Sequence, residues 1–316
     1  MVVTIDPAKR LADALGLGTL TDTPRRIEGD WPGELWALML DPRHTFDDLV
    51  RRYAPRAEQA DAILANRFYR NIAGALSGTQ EYMAMEKLFE LHDDDRFDLV
   101  VVDTPPTRNA LDFVDAPRRL TRFLDNRVFQ LLMLPARTGI RAVNLATQAV
   151  LRSVAKLVGS DVVSDAVAFF QAFEGMEDGF RQRAQRVLDL LCDPATAFLL
   201  VAAPRRDAAR ETEFFAEKLA EAGIGVDALV VNRMHPRFGP TAAGDASASA
   251  PQHQLGPLLP LLRNLAELRQ LADGEDAHVQ SLARRLGTVA VQVPELDTDV
   301  HDLDGLARVG AYVFAG

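Results

Sequence analysis

The chain has 316 residues, 48% of them hydrophobic, enough for one large or two modest domains with a sizeable core, which excludes a disordered polypeptide. Its 35 basic and 45 acidic side chains give a net charge of −10, a balance unsuited to gripping a phosphate backbone, so nucleic acid is excluded as a partner class. A single cysteine, Cys192, cannot make an internal disulfide, a zinc ribbon or an iron–sulfur site, and this usage predicts a reducing, cytoplasmic setting.

The first element in chain order is a short strand, Val2 to Ile5, running into a turn at Asp6-Pro7. Nothing in the opening residues has the basic segment, apolar run and cleavage site of a secretion signal. Four further β-branched, nearly continuous apolar runs follow at Leu99 to Val102, Phe198 to Ala202, Ala228 to Val231 and Thr288 to Val293. Such runs predict strands buried on both faces. Between them the spacing is helical, as in Phe215, Leu219 and Ala222 before Gly223, and Leu282 and Leu286 before Gly287. Strands alternating with helices predict an α/β fold with a mostly parallel sheet and flanking helices. Residues 34–95 and 110–192 are too long for simple crossovers and are expected to be all-helical, packing as a helical subdomain at one end of the sheet. Residues 239–257, rich in Gly, Ala, Ser and Pro, suit a mobile loop. The longest apolar stretches fall far short of the roughly 18 residues a membrane helix requires.

In an open parallel sheet, ligands bind beyond the carboxyl ends of the strands. Those ends read Asp6-Pro7-Ala8, Asp103-Thr104-Pro105-Pro106-Thr107, Asn232-Arg233 and Pro294-Glu295-Leu296, so two carboxylates and an amide are expected to converge on one edge. A strand-end aspartate such as Asp103 offers magnesium a hard oxygen beside phosphates, although an acidic turn or cap residue is equally common there. Asp6 also suits the cap of a helix that starts at Pro7. The Asn232 amide pairs a donor with an acceptor, matching an adenine edge. The six histidines include no i,i+3 or i,i+4 pair, and a histidine metal site is unsupported.

Four segments in this order, Thr4-Ile-Asp-Pro-Ala-Lys-Arg-Leu-Ala-Asp13, Phe97 to Phe113 around Asp103-Thr-Pro-Pro-Thr107, Arg210-Glu-Thr-Glu213 and Leu229-Val-Val-Asn232, resemble the anion-transporting ATPase family. That family comprises arsenite-pump ATPases and factors that target tail-anchored membrane proteins. The resemblance implies a P-loop NTPase fold of SIMIBI type, with ATP and Mg2+ as cofactors and a dimer whose switch loops respond to the γ-phosphate. It implies that Asp6 orients the attacking water, that Asp103, followed by Thr104, serves magnesium, that Asn232 recognises adenine, and that the loop with Pro294 and Glu295 covers the base.

The departures bear on function. The family's Gly-rich phosphate loop carries a lysine followed by threonine, whereas the only lysines here, Lys9, Lys87, Lys156 and Lys218, are followed by Arg or Leu. The family places that loop upstream of the strand where this sequence starts, so the resemblance implies that an N-terminal strand and phosphate loop, roughly 30 residues, are missing. The expectation is a truncated, catalytically impaired ATPase, with a non-catalytic subunit that pairs with a complete ATPase as the alternative. The zinc clasp of the targeting factors and the cysteine site of arsenite pumps have no counterpart, and Arg205 stands where the family often has a glutamate. An apolar stripe, Val143, Ala146, Val150, Val154 and Leu157, followed by Phe169, Phe170, Phe173 and Met176, reads first as helix–helix core and second as a groove for a hydrophobic client.

Overall fold

The β-branched runs do form strands, and pairing between them sets the architecture. The computed structural model describes residues 1–5, 10–72, 79–104, 107–125, 160–238 and 258–314. They divide into two compact units, Met1–Ala12 with Gly18–Asp193, and Asp13–Leu17 with Pro194–Gly316.

Strand β1 (Val2–Thr4) precedes a short helix, α1 (Arg10–Ala14), and strands β2 (Arg25–Ile27) and β3 (Leu35–Met39) follow. Helices α2 (Pro42–Tyr53), α3 (Ala57–Ala65), α4 (Arg67–Ile72) and α5 (Thr79–His92) lead to β4 (Val101–Asp103), then α6 (Thr107–Leu124), α7 (Ser160–Ala172) and α8 (Glu177–Leu191). The first sheet has the order β2-β3-β1-β4, with β3, β1 and β4 parallel and β2 antiparallel at its edge. One face packs Met1, Val3 and Leu38 against Leu91 with Trp36 and Phe97.

Two expectations are corrected here. Residues 34–95 are not all helical, because Leu35–Met39 is a strand; its Leu, Ala and Met favour helix, but pairing with β1 and β2 overrides that weak preference, and Ala37 and Leu38 are fully buried. Nor are the strands buried on both faces. Leu99 is 70% exposed before β4, and in the second unit Val201 and Val289 are 66% and 69% exposed.

The helices of the first unit pack around an aromatic core. Phe169, Phe170, Phe173, Met176 and Phe180 are buried with Val50, Ile63, Tyr69 and Met83, as the helix-core reading of the apolar stripe required. Phe173 and Phe180 stack with centroids 5.2 Å apart. Polar side chains fix the register between helices: Gln59 donates to the carbonyls of Ala172 (2.6 Å) and Glu174 (3.0 Å), and Asn66 donates to that of Asp165 (2.9 Å). A charged pair is buried in the same layer, where Arg183 Nε donates to Glu86 Oε2 at 2.8 Å and the Tyr82 hydroxyl donates to Glu86 Oε1. The rest of the predicted stripe, Val143 to Leu157, lies outside the described residues.

In the second unit, β5 (Leu199–Ala202), α9 (Arg206–Glu221), β6 (Ala228–Met234), α10 (Leu259–Leu286), β7 (Val289–Pro294) and α11 (Leu303–Val313) follow in turn. The sheet has the order β5-β6-β7, all parallel. Helix α10 ends where Gly287 adopts φ 65°, the left-handed conformation that lets the chain turn straight into β7. The expected mobile loop, 239–257, lies outside the described residues. Among the described residues, no helix is long and apolar enough to cross a membrane.

Candidate functional site

In the first unit the carboxyl end of the sheet is built by β1 and β4, which pair in parallel with Thr4 opposite Asp103. The Ile5 amide donates to the Asp103 carbonyl at 3.1 Å, and the Leu40 amide to the Thr4 carbonyl at 3.0 Å, so β1 is held between both neighbours to its last residue. Thr4 is buried, and its hydroxyl donates to Asp103 Oδ2 at 3.0 Å. Asp103 itself is exposed. The result is a carboxylate anchored by one oxygen to the neighbouring strand and presented outward at the strand end, with the exposed Thr104 next in the chain. Asp6, expected beside them, lies outside the described residues, as do Pro105 and Pro106.

In the second unit, β6 runs further than expected, to Met234: pairing with β7 breaks after Val231, bulges at Asn232 and Arg233, and resumes at Met234 opposite Pro294. Arg233 takes φ 62°, the left-handed conformation that costs a non-glycine residue roughly 1–2 kcal/mol and persists only where neighbours impose it. Those neighbours are visible. The Arg233 amide donates to Asn232 Oδ1 at 2.8 Å, the Glu295 amide donates to the Met234 carbonyl at 2.8 Å, and the next residue, His235, is gripped by Glu275 of α10. The irregularity turns Asn232 outward into solvent on the same sheet end as Pro294 and Glu295, and Pro294 pairs with Met234.

The Asn232 amide is thereby oriented. With Oδ1 committed to the Arg233 amide, Nδ2 offers its donors outward and Oδ1 keeps a second lone pair, so the side chain presents donor beside acceptor in a fixed order. With Oδ1 facing position 6 of a base, an adenine edge, with its amino donor beside a ring-nitrogen acceptor, matches that order, and a 6-oxo purine, with an acceptor at position 6, does not.

The structure thus assembles the predicted residues in two groups, Asp103 with Thr104 in one unit and Asn232 with Pro294 and Glu295 in the other. In the third family-like segment, Glu213 pairs with Arg285 at 2.5 Å, and Glu211 is exposed. Arg205 stands in extended conformation at the start of α9. Two supporting residues escaped the sequence reading, Thr4 and Glu275. Glu275 had a signal: it continues the apolar spacing of Leu268, Ala272, Val279 and Leu282, and a carboxylate on the buried face of a helix needs a partner.

Magnesium takes hard oxygens, keeps several waters and is held by one or two carboxylates plus phosphate, and the exposed Asp103 carboxylate beside the Thr104 hydroxyl is such a donor set. No cluster of three or more His, Cys, Asp or Glu side chains able to hold a metal exists among the described residues, so an all-protein cage is not what they offer.

The model of the anion-transporting ATPase family matches residues 1–239. ATPase GET3A of Arabidopsis thaliana is 24% identical over 234 residues, covering 74% of this chain and 58% of its own length. The ATPase ASNA1 homolog of Trypanosoma cruzi is 26% identical over 242 residues, covering 74% of this chain and 62% of its own. An uncharacterized protein of Streptomyces coelicolor is 29% identical over 326 residues, covering 99% of this chain and 74% of its own. The chain therefore spans about six tenths of the length of the two named ATPases.

Proposed function

We propose a function from one premise: the chain belongs to the anion-transporting ATPase family. It acts in Mg-ATP-dependent ATP hydrolysis that drives a conformational cycle in a dimer rather than the conversion of a metabolite. The observation that carries this reading is the Asp103 carboxylate, pinned through Oδ2 to Thr4 at the carboxyl end of parallel strands and exposed beyond them. Asp103 and Thr104 hold magnesium, which when bound offsets the charge that develops on the transferred phosphate. Asp6 orients the attacking water. Asn232 reads the adenine edge through its oriented amide, and the turn at Pro294 and Glu295 covers the base.

The sequence contains no Gly-rich loop ending in Lys-Thr, so the backbone amides and ammonium that neutralise the β- and γ-phosphates are not among these 316 residues. This predicts a division of labour. The base and the metal are recognised here, while phosphate charge is neutralised by polypeptide outside this sequence, either a longer form of the chain or a partner subunit. The chain alone should hydrolyse ATP slowly or not at all.

The experiment is a Mg-dependent ATPase assay on the chain, on the D103A variant, and on both supplied with a complete ATPase of the same family. Slow hydrolysis by the chain alone, with any stimulated rate lost in D103A, supports the reading. Rapid hydrolysis by the chain alone that survives D103A sinks it.

A further inference from the structure

Helix α10 holds the exit of β6 at three residues, His235, Arg237 and Phe238. The Glu275 carboxylate, buried on the sheet-facing side of the helix, accepts the His235 backbone amide at 2.9 Å through Oε2 and faces His235 Nδ1 at 2.7 Å through Oε1. Flanking Glu275 on the same helix, Asp273 pairs with Arg237 at 3.0 Å, and Asp276 pairs with Arg237 as well. Arg269 donates to the Phe238 carbonyl through Nε at 3.0 Å and Nη2 at 2.8 Å. Of these grips only that of Glu275 is buried, and it closes on the residue directly after Met234.

The left-handed Arg233 needs its flanks fixed, because a non-glycine residue leaves that conformation once released. On one flank stands Asn232, whose side chain accepts the Arg233 amide. On the other, Met234 is tied to Glu295 through its carbonyl, and His235 is tied to Glu275. Relaxation of Arg233 would swing the Arg233 N–H away from Asn232 Oδ1 and free the amide to rotate. Both orders of donor and acceptor would then be offered to a base, and the preference for adenine would go.

We propose that Glu275, acting through His235, is the positioning residue that locks the β6 exit so that Asn232 presents one fixed amide orientation and selects a 6-amino over a 6-oxo purine. This rests on the assignment of Asn232 to the base. Glu275 touches no base itself; its effect passes through the backbone.

The test uses the full chain with adenosine and inosine as probes, their binding followed by ligand-observed NMR, and with amide hydrogen exchange followed at Arg233 and His235. Four proteins are compared: the parent, N232A, E275A and H235A. H235A removes only the side-chain half of the grip at a half-buried position and guards against a folding defect in E275A. The expected result has three parts. His235 amide exchange accelerates roughly tenfold to a hundredfold in E275A, the range for loss of a hydrogen bond to a charged acceptor. The adenosine preference over inosine collapses in E275A and narrows in H235A. Exchange in β5 and α9 stays as in the parent.

Unchanged exchange at His235 in E275A overturns the lock. Faster exchange with an intact adenosine preference overturns the positioning role, while loss of that preference in N232A keeps the base assignment standing. An N232A variant that behaves as the parent refutes the base assignment, and the proposal falls with it.

Discussion

Replacing Arg183 by Met should destabilise the first unit strongly, and the structure fixes why. The Glu86 side chain is 1% exposed and that of Arg183 9%, with Arg183 Nε 2.8 Å from Glu86 Oε2 and its guanidinium 3.8 Å above the Phe89 ring. Methionine keeps most of the stem but leaves Glu86 with the Tyr82 hydroxyl alone. Removing one partner of a buried pair costs about 3–5 kcal/mol, because the survivor stays desolvated. At about 2–4 °C per kcal/mol for a unit of this size, the melting temperature should fall by roughly 10 °C. Both tryptophans, Trp31 and Trp36, lie in this unit, so urea denaturation read by their fluorescence reports it selectively. Glu86 is held above the ordinary carboxylate range by burial, against the lowering effects of Tyr82 and Arg183. A group raised in the folded state contributes stability that is full below its unfolded value and is lost as pH rises through the folded value. Loss of Arg183 raises Glu86 further, so the penalty of R183M should shrink as pH falls from 7 toward 5. The double variant E86L/R183M should recover most of the loss, since an apolar pair carries no desolvated charge. A penalty under about 1 kcal/mol, one that grows on acidification, or a double variant no better than the single would refute the reasoning.

Three other outcomes follow from the same structure. T4V keeps the β-branched shape but removes the hydroxyl from Asp103, whose exposed carboxylate can turn to water; the cost should be about 1 kcal/mol by urea denaturation, and a loss above about 3 kcal/mol would mean that Thr4 does more than anchor Asp103. Phe180 is buried against Phe46, Tyr53 and Phe173, so F180A should cost about 3–5 kcal/mol, and a loss below about 1 kcal/mol would contradict the aromatic core described above. His44 is raised above its ordinary value mainly by its hydrogen bond to Asp22, with Asp48 and Asp41 adding to this; its stabilising contribution is present below about 6.5 and fades as pH rises through the folded value. An NMR titration should place the His44 midpoint above that of a free imidazole and D22N should lower it; an unmoved midpoint in D22N would remove Asp22 as the cause.

The sequence by itself determined five strands of the parallel ladders, since each β-branched run between helical stretches became a strand; their ends shift by one or two residues, except that β6 runs three residues past its predicted end. It also determined that Asp103 and Pro294 close their strands, while Asn232 closes the apolar run of β6 two residues before the strand ends, because a polar residue closing an apolar run is legible without the fold. The heptad-like spacing of α10 carried a trace of Glu275, but period alone cannot say which partner a buried carboxylate meets. Three things were left to the tertiary structure. Leu35–Met39 became a strand through pairing energy that its helix-favouring residues do not encode. The exposed faces at Leu99, Val201 and Val289 arose because an apolar run states a capacity for burial, while the layers actually packed on it decide how much is realised. Finally, the amide orientation of Asn232 was set by a left-handed Arg233 and a grip from a helix 40 residues away in sequence, contacts that exist only once β6 and α10 are packed together.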